Sequence, residues 1–175
     1  LLPGTRPAPG MDEEEGRKLY AEGLAKAAAR TAGSGVTLTI EDFGVYPRFA
    51  CSAAHCMQVL KMAGEAVKFT FDNGNFMLGG DRPLDAYRVT RERIAHVHIK
   101  DFCRRDPDGS PSLTSVDGVP LKGCMIGDGE SQVRECVQTV RRDGYTGWVS
   151  IEVGGGNPVE QAVHGARVIR AAWGN

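Results

Sequence analysis

The sequence lacks the features of nucleic-acid-binding, membrane-spanning and disulfide-bonded proteins. Lys and Arg number 21 against 22 Asp and Glu, and no segment concentrates the basic residues that duplex nucleic acid requires. No run reaches the roughly 18 apolar residues of a membrane-spanning helix. The five cysteines contain no C-x-x-C pair and are odd in number, which disfavours a disulfide framework. We therefore expect a cytoplasmic protein whose partner is a small molecule, not nucleic acid or a membrane.

The composition is that of a globular domain. At 175 residues the chain holds about one domain, because a domain averages roughly 150 residues. Hydrophobic residues make up 41% and charged residues 25%, which excludes a disordered or collagen-like chain. We expect a single domain over residues 1–175.

Helical and strand-like patterns alternate along the chain. Each of four short, β-branched runs is followed by apolar residues at helical spacing, and another helix precedes the first run. Asp12, Ser52 and Asn157 stand where helix caps are expected. Residues 102–129 are expected to form a long loop. The predicted strands are Val36–Glu41, Val67–Asp72, Ile94–Asp101 and Trp148–Glu152, and the predicted helices begin near Asp12, Ser52, Pro83, Ser131 and Pro158.

This alternation predicts a parallel sheet with right-handed crossovers. Two architectures satisfy it, an open doubly wound sheet and part of a (β/α)8 barrel. Neither a G-x-G-x-x-G motif nor a Walker P-loop follows any predicted strand, so the nucleotide-binding form of the open sheet lacks its signature. The sequence therefore favours an α/β protein of the (β/α)8, or TIM-barrel, type.

A residue that can bind a metal ion stands at the carboxyl end of each predicted strand. Functional residues of parallel α/β folds lie at these ends, which meet at one edge of the sheet. Three carboxylates and one imidazole suit Mn²⁺, Mg²⁺ or Co²⁺ better than Zn²⁺. The four candidate ligands are Glu41, Asp72, His98 and Glu152.

The segment from His96 to Asp101, H-V-H-I-K-D, resembles the H-x-H-x-K-D stretch of the sugar phosphate isomerase/epimerase family, the xylose isomerase-like TIM barrels. The resemblance covers nearly the whole chain from Met11 onward, and its motifs occur in the family's order. Its other segments are Ile40–Gly44, Phe71–Asn75, Ile126–Gly129 and Gly144–Glu152.

This resemblance implies a metal held by Glu41, Asp72, His98 and Glu152. It further implies that Glu41 and Glu152 are the catalytic acid/base pair, on opposite faces of a hydroxyketone. The chemistry agrees, because removing a proton next to a carbonyl needs a base and an electrophile that stabilises the enediolate. We therefore expect an isomerase or epimerase acting on a small ketose or hydroxy-keto compound.

Substrate-binding positions also follow from the resemblance. Asn75 and Arg104 match places where relatives carry polar substrate contacts. His96 is either a substrate contact or second ligand, or a hydrogen-bonded histidine inside the barrel, and the latter is favoured. Lys100 either neutralises the enediolate or pairs with an acidic ligand. Phe43 stands where many relatives have histidine, which removes one polar contact.

The resemblance also implies that the chain begins after the fourth strand of the barrel, so that only strands 5 to 8 are present. Such a half barrel exposes two strand edges and apolar surface, and we expect it to pair, swap strands or aggregate, with a homo-oligomer as one outcome.

Two other functions stay open. An inosose-type dehydratase uses the same proton abstraction and then expels hydroxide. Alternatively, the chain is a non-catalytic barrel fragment that serves as a binding or assembly module. A related abasic-site endonuclease is disfavoured, because it needs a histidine-rich zinc site and the chain has four histidines.

Overall fold

The computed structural model describes residues 1–3, 8–42, 49–104, 113–154 and 156–174. None of the described helices is both long and apolar enough to cross a membrane. The strands are β1 (Leu38–Glu41), β2 (Val67–Asp72), β3 (Ile94–Ile99), β4 (Phe102–Cys103), β5 (Leu113–Thr114), β6 (Pro120–Gly123) and β7 (Val149–Ile151). The helices are α1 (Glu13–Thr31), α2 (Ala53–Ala63), α3 (Asn75–Leu78), α4 (Pro83–Thr90), α5 (Val133–Arg142) and α6 (Pro158–Trp173), with a 3₁₀ turn at Arg91–Arg93.

The main sheet is parallel, in the order β1-β2-β3-β7. Ile40 pairs with Phe69, and Val97 lies between Phe71 and Val149 in the register. This confirms the parallel α/β arrangement expected from the alternating patterns. All four strands end at the same edge, so the residues at their carboxyl ends share one surface.

A hydrophobic core packs between the sheet and its helices. Phe69, Phe71 and Phe76 are fully buried, and Phe71 meets Tyr87 edge to face at 5.4 Å between ring centroids. Fully burying one such side chain contributes roughly 1.5–3 kcal/mol. The apolar face expected on α2 is confirmed, because Cys56, Val59, Leu60 and Ala63 are all buried.

Two of the three expected helix caps are confirmed. The Ser52 hydroxyl accepts a hydrogen bond from the His55 backbone N–H at 3.2 Å. The Asn157 side chain accepts from Val159 N at 3.0 Å and from Glu160 N at 3.4 Å. The prediction for Asp12 is wrong: it occupies the N-cap position, but its side chain makes no capping hydrogen bond.

The predicted loop 102–129 instead contains a second, antiparallel sheet in the order β4-β6-β5. Two of these strands have two residues each, which is too short to give a periodic signal. The short helix α3 escaped prediction for the same reason. The last predicted strand is also shorter than expected, since β7 omits Trp148, whose side chain is 84% exposed.

Asp101 fastens this region to the end of β3. Its buried carboxylate accepts hydrogen bonds from the backbone N–H groups of Gly127 at 2.8 Å, Gly129 at 3.0 Å and Ser131 at 3.1 Å. A Cβ on Gly129 would lie 2.3 Å from Asp101 Oδ1, so only glycine fits there. The acid thus orders the turn that leads into α5.

Replacing this carboxylate should destabilise the chain. We expect Asp101→Ala to lower the free energy of unfolding by about 2 kcal/mol, because three backbone N–H donors lose their carboxylate acceptor. Asp128→Ala removes an exposed acid from the same turn and should change it by less than about 0.5 kcal/mol. Urea denaturation measures both. Equal effects of the two variants would contradict the role assigned to Asp101.

Candidate metal centre

Four ligand-type side chains converge at the carboxyl edge of the parallel sheet. One nitrogen or oxygen atom from each of Glu41, Asp72, His98 and Glu152 lies within 4.8 Å of all the others. The register explains this, because Asp72 pairs with His98 and Glu152 follows β7 directly. The structure therefore brings together all four residues that the sequence proposed as ligands.

The imidazole of His98 stands at the centre of the cluster. Its Nδ1 atom lies 2.6 Å from Glu41 Oε1, 3.3 Å from Glu152 Oε2 and 3.9 Å from Asp72 Oδ2. The side chain of Asp72 is fully buried and that of Glu152 is 42% exposed. The cluster is thus closed on the sheet side and reachable from the side of Glu152.

The two oxygens of Asp72 have different environments. Oδ1 accepts hydrogen bonds from the backbone N–H groups of Gly74 at 2.9 Å and Asn75 at 2.8 Å. Oδ2 is buried and has no hydrogen-bond partner within the described part of the chain. The loop after β2 therefore fixes the carboxylate through one oxygen and leaves the other facing the cluster.

Two more buried atoms in the cluster lack a hydrogen-bond partner among the described residues. Glu41 Oε1 and His98 Nδ1 approach each other but lack hydrogen-bond geometry, and neither has another hydrogen-bond partner among the residues described. Buried polar atoms without partners are rare, because each costs about 1–3 kcal/mol. Three such atoms pointing into one small space fit a shared cation.

Mutual contact shifts the ionisation of these groups. The carboxylates of Glu152 and Glu41 raise the pKa of His98 to about 9, although burial opposes them. Burial raises the pKa of Asp72 to about 7, against the effect of Lys100. Contact with His98 lowers the pKa of Glu152 to about 2. At neutral pH and without a metal ion, His98 is therefore a cation among acids.

Lys100 also reaches the cluster. Its Nζ atom lies 2.5 Å from Glu152 Oε1 and 3.7 Å from Asp72 Oδ2, and it donates to Asn75 Oδ1 at 3.0 Å. Of its two expected roles, the pairing with acidic ligands is the one that the structure displays. The amide of Asn75 is engaged within the protein, since Nδ2 donates to the Asp42 carbonyl at 3.4 Å.

The other two predicted substrate contacts lie apart from the ligand atoms. His96 Nε2 lies 2.9 Å from the Ser150 hydroxyl oxygen, which agrees with the hydrogen-bonded interior histidine. Its ring meets that of His98 edge to face at 5.1 Å. Arg104 pairs with Glu130 at 3.1 Å and lines a cavity of about 380 Å³ to which none of the four candidate ligands contributes.

Asp42 is a buried acid whose environment sequence reasoning missed. Burial, and then the charges of Asp72 and Glu41, raise its pKa well above the usual range of a carboxyl group. Neither carboxyl oxygen has a hydrogen-bond partner among the described residues. The sequence feature that could have indicated this burial is the pair of adjacent acids, Glu41 and Asp42, at the end of β1. The expected departure from the family at Phe43 lies outside the described residues.

Comparison with known proteins identifies related sequences and folds. A family model described as a xylose isomerase-like TIM barrel matches residues 1–172. An inosose dehydratase of Lacticaseibacillus casei is 28% identical over 114 residues, which are 61% of this chain and 38% of that protein.

Solved structures show the same fold. The 3-keto-D-glucoside 4-epimerase of E. coli superimposes with a TM-score of 0.67 at 17% identity, over 95% of this chain and 59% of its own. The IOLI protein with a bound zinc atom gives 0.70 at 15% identity, over 99% of this chain and 60% of its own.

The chain spans less than two thirds of the length of each of these proteins. The family match covers nearly the whole chain, and the expectation that only the second half of a barrel is present is not confirmed. On the family match and the fold, the chain belongs to the xylose isomerase-like TIM-barrel family.

Proposed function

We propose that this chain carries a divalent-metal-dependent isomerase or epimerase site for a small ketose or hydroxy-keto compound. The observation that carries the proposal is the convergence of four ligand side chains. Three of them direct into the shared space a buried atom that has no hydrogen-bond partner among the described residues. The family name and the epimerase neighbour support this reaction class.

Glu41, Asp72, His98 and Glu152 would hold the ion. Three carboxylates and an imidazole suit Mn²⁺, Mg²⁺ or Co²⁺, and the zinc in the IOLI protein adds Zn²⁺ to the ions to be tested. When bound, a divalent ion supplies a Lewis acid that polarises a carbonyl oxygen.

The chain's own residues supply the proton transfers. Glu41 is the last residue of β1 and Glu152 follows β7, and these are the two outer strands of the main sheet. We propose that the two carboxylates act on opposite faces of the substrate. One carboxylate would remove the proton from the carbon next to the carbonyl, and the other would return a proton to the opposite face or to the neighbouring carbon. Return of the proton to the opposite face of the same carbon is epimerisation. Its return to the neighbouring carbon is isomerisation.

Lys100 is proposed to bind the substrate oxygen on which negative charge develops. Its ammonium group reaches both Glu152 and Asp72. The substrate-binding roles of Asn75, His96 and Arg104 stay predictions, and Asn75 contributes first by holding Lys100.

A dehydratase is the second candidate, and the match to inosose dehydratase favours it. Proton abstraction by the same carboxylates would be followed by loss of hydroxide from the neighbouring carbon, giving an unsaturated ketone. Product analysis separates the two reactions. A non-catalytic assembly module, the third reading, has no need of the metal, so metal-dependent turnover would exclude it.

Metal binding should release protons and strengthen as the pH rises. His98 must lose its proton to bind a metal, and its pKa of about 9 means that it is protonated at pH 7. Asp72, with a pKa of about 7, adds to the effect. We expect release of about one proton or more per ion at pH 7, and an affinity for Mn²⁺ that rises until about pH 9.

Titration calorimetry in buffers of different ionisation enthalpy measures this release. His96→Ala should retain it, because this histidine lies outside the ligand set. Binding that is independent of pH between about 6 and 9 would contradict the assignment of His98 as a ligand.

Glu152→Gln should retain metal binding but lose turnover by about 10²–10⁴-fold. The amide oxygen can still face the ion, whereas the amide cannot accept the substrate proton. Exchange of solvent deuterium into ketoses and inososes, followed by NMR, measures the proton transfer that both candidate reactions share. Glu160→Gln, an exposed acid on α6, is the matched control and should exchange at the normal rate. Normal exchange in Glu152→Gln would refute its acid/base role.

A further inference from the structure

The two oxygens of Glu152 face different partners. Oε2 lies 3.3 Å from His98 Nδ1, on the side of the ligand cluster, whereas Oε1 lies 2.5 Å from Lys100 Nζ. At 42% exposure the Glu152 side chain is the most exposed of the four candidate ligands. It therefore needs a contact that fixes its orientation, and the ammonium group supplies one.

The fold holds the ammonium group of Lys100 firmly in place. Its side chain is only 13% exposed, and Nζ donates to Asn75 Oδ1 at 3.0 Å. Its backbone N–H donates to Asn73 Oδ1 at 2.9 Å, while Asn73 Nδ2 donates to the Ser131 carbonyl at 2.7 Å. These hydrogen bonds join three segments: the end of β3, the loop after β2, and the turn before α5 that contains Ser131.

Gly74 makes room for the aliphatic part of this lysine. A Cβ at Gly74 would lie 3.0 Å from Lys100 Cβ and Cγ and 3.2 Å from its carbonyl oxygen. Glycine is therefore the residue that lets the side chain pass close to the loop and reach Glu152. Several parts of the sequence thus serve the placement of one positive charge.

We propose that Lys100 is a positioning residue that restricts Glu152 to one oxygen toward the ion. A carboxylate binds a cation through one oxygen or through both, and a second oxygen on the ion occupies a position that substrate or water would otherwise take. By holding Oε1, Lys100 keeps that position open. The inference rests on the proposed metal site.

Co²⁺ and Mn²⁺ serve as the probes of coordination. The visible absorption of bound Co²⁺ reports its coordination number and geometry, and the proton relaxivity of bound Mn²⁺ reports its exchangeable water. We expect Lys100→Met to change the Co²⁺ spectrum and lower the Mn²⁺ relaxivity, because Glu152 is released to bind through both oxygens. Lys100→Arg keeps the positive charge and should restore both signals toward those of the unaltered chain.

Two further variants complete the design. Lys68→Met removes a lysine from β2 without touching Glu152 and should leave both signals unchanged. Asn75→Ala retains Lys100 but removes its anchor, and should shift the signals in the same direction as Lys100→Met, by less. Asn75→Ala also tests the inference if Lys100→Met fails to fold, as judged by circular dichroism.

The outcomes are distinguishable. An unchanged Co²⁺ spectrum in Lys100→Met and Asn75→Ala, with tighter binding, would mean that Lys100 is only a counter-ion for the empty cluster, and would overturn the inference. The absence of any Co²⁺ spectrum in the unaltered chain would overturn the metal site and this inference with it. A changed spectrum that Lys100→Arg restores supports it.

Discussion

Repulsion among three carboxylates is the constraint around which this site is arranged. Glu41, Asp72 and Glu152 each bring one oxygen into a space less than 5 Å across, and the side chains of Glu41 and Asp72 are buried there. Burial, and then the charges of Glu41 and Glu152, raise the pKa of Asp72, whereas the ammonium group of Lys100 lowers it. The fold can tolerate the cluster only where positive charge is supplied, and His98 and Lys100 supply it in the chain itself.

The parallel sheet explains why these charges meet at all. Neighbouring strands end in register, so residues that are 26 or more positions apart in the sequence become neighbours at one edge. The backbone then differentiates the ligands. Asp72 is fixed by two N–H groups of its own loop, whereas Glu152, directly after β7, depends on Lys100, which directly follows the neighbouring strand β3. Burial and anchoring thus decrease from Asp72 to Glu152, and the open side of the cluster is where a substrate can enter.

Much of this arrangement could be predicted from the sequence. The four parallel strands follow from β-branched runs, and the ligand set follows from their last residues together with the H-x-H-x-K-D resemblance. Ser52 and Asn157 predicted the starts of two helices, because their side chains can accept hydrogen bonds from the first backbone N–H groups of a helix. These features are local, or depend on the fixed periodicity of strands, and a single sequence carries both kinds of information.

The rest depends on contacts between distant segments. Nothing local distinguishes Asn73, yet it joins the end of β3 to the turn before α5. Arg104 matches a family position, but in the structure it pairs with Glu130. The two residues are 26 positions apart in the sequence and become neighbours only when the segment containing the second sheet folds. The second sheet itself consists of strands too short to leave a pattern. The burial of Asp42 was not predicted, because Glu41 already explained the presence of an acid at the end of β1.

The most direct test of the metal centre is a thermal melt of this chain with Mn²⁺, Mg²⁺, Co²⁺ or Zn²⁺ against EDTA. A ligand at 100 times its dissociation constant stabilises the native state by about 2.7 kcal/mol. The account predicts a metal-dependent rise in Tm that is lost in His98→Ala and retained in His96→Ala, because only His98 faces the three carboxylates. A cooperative transition that is insensitive to every metal, or a rise that survives in His98→Ala, would contradict it.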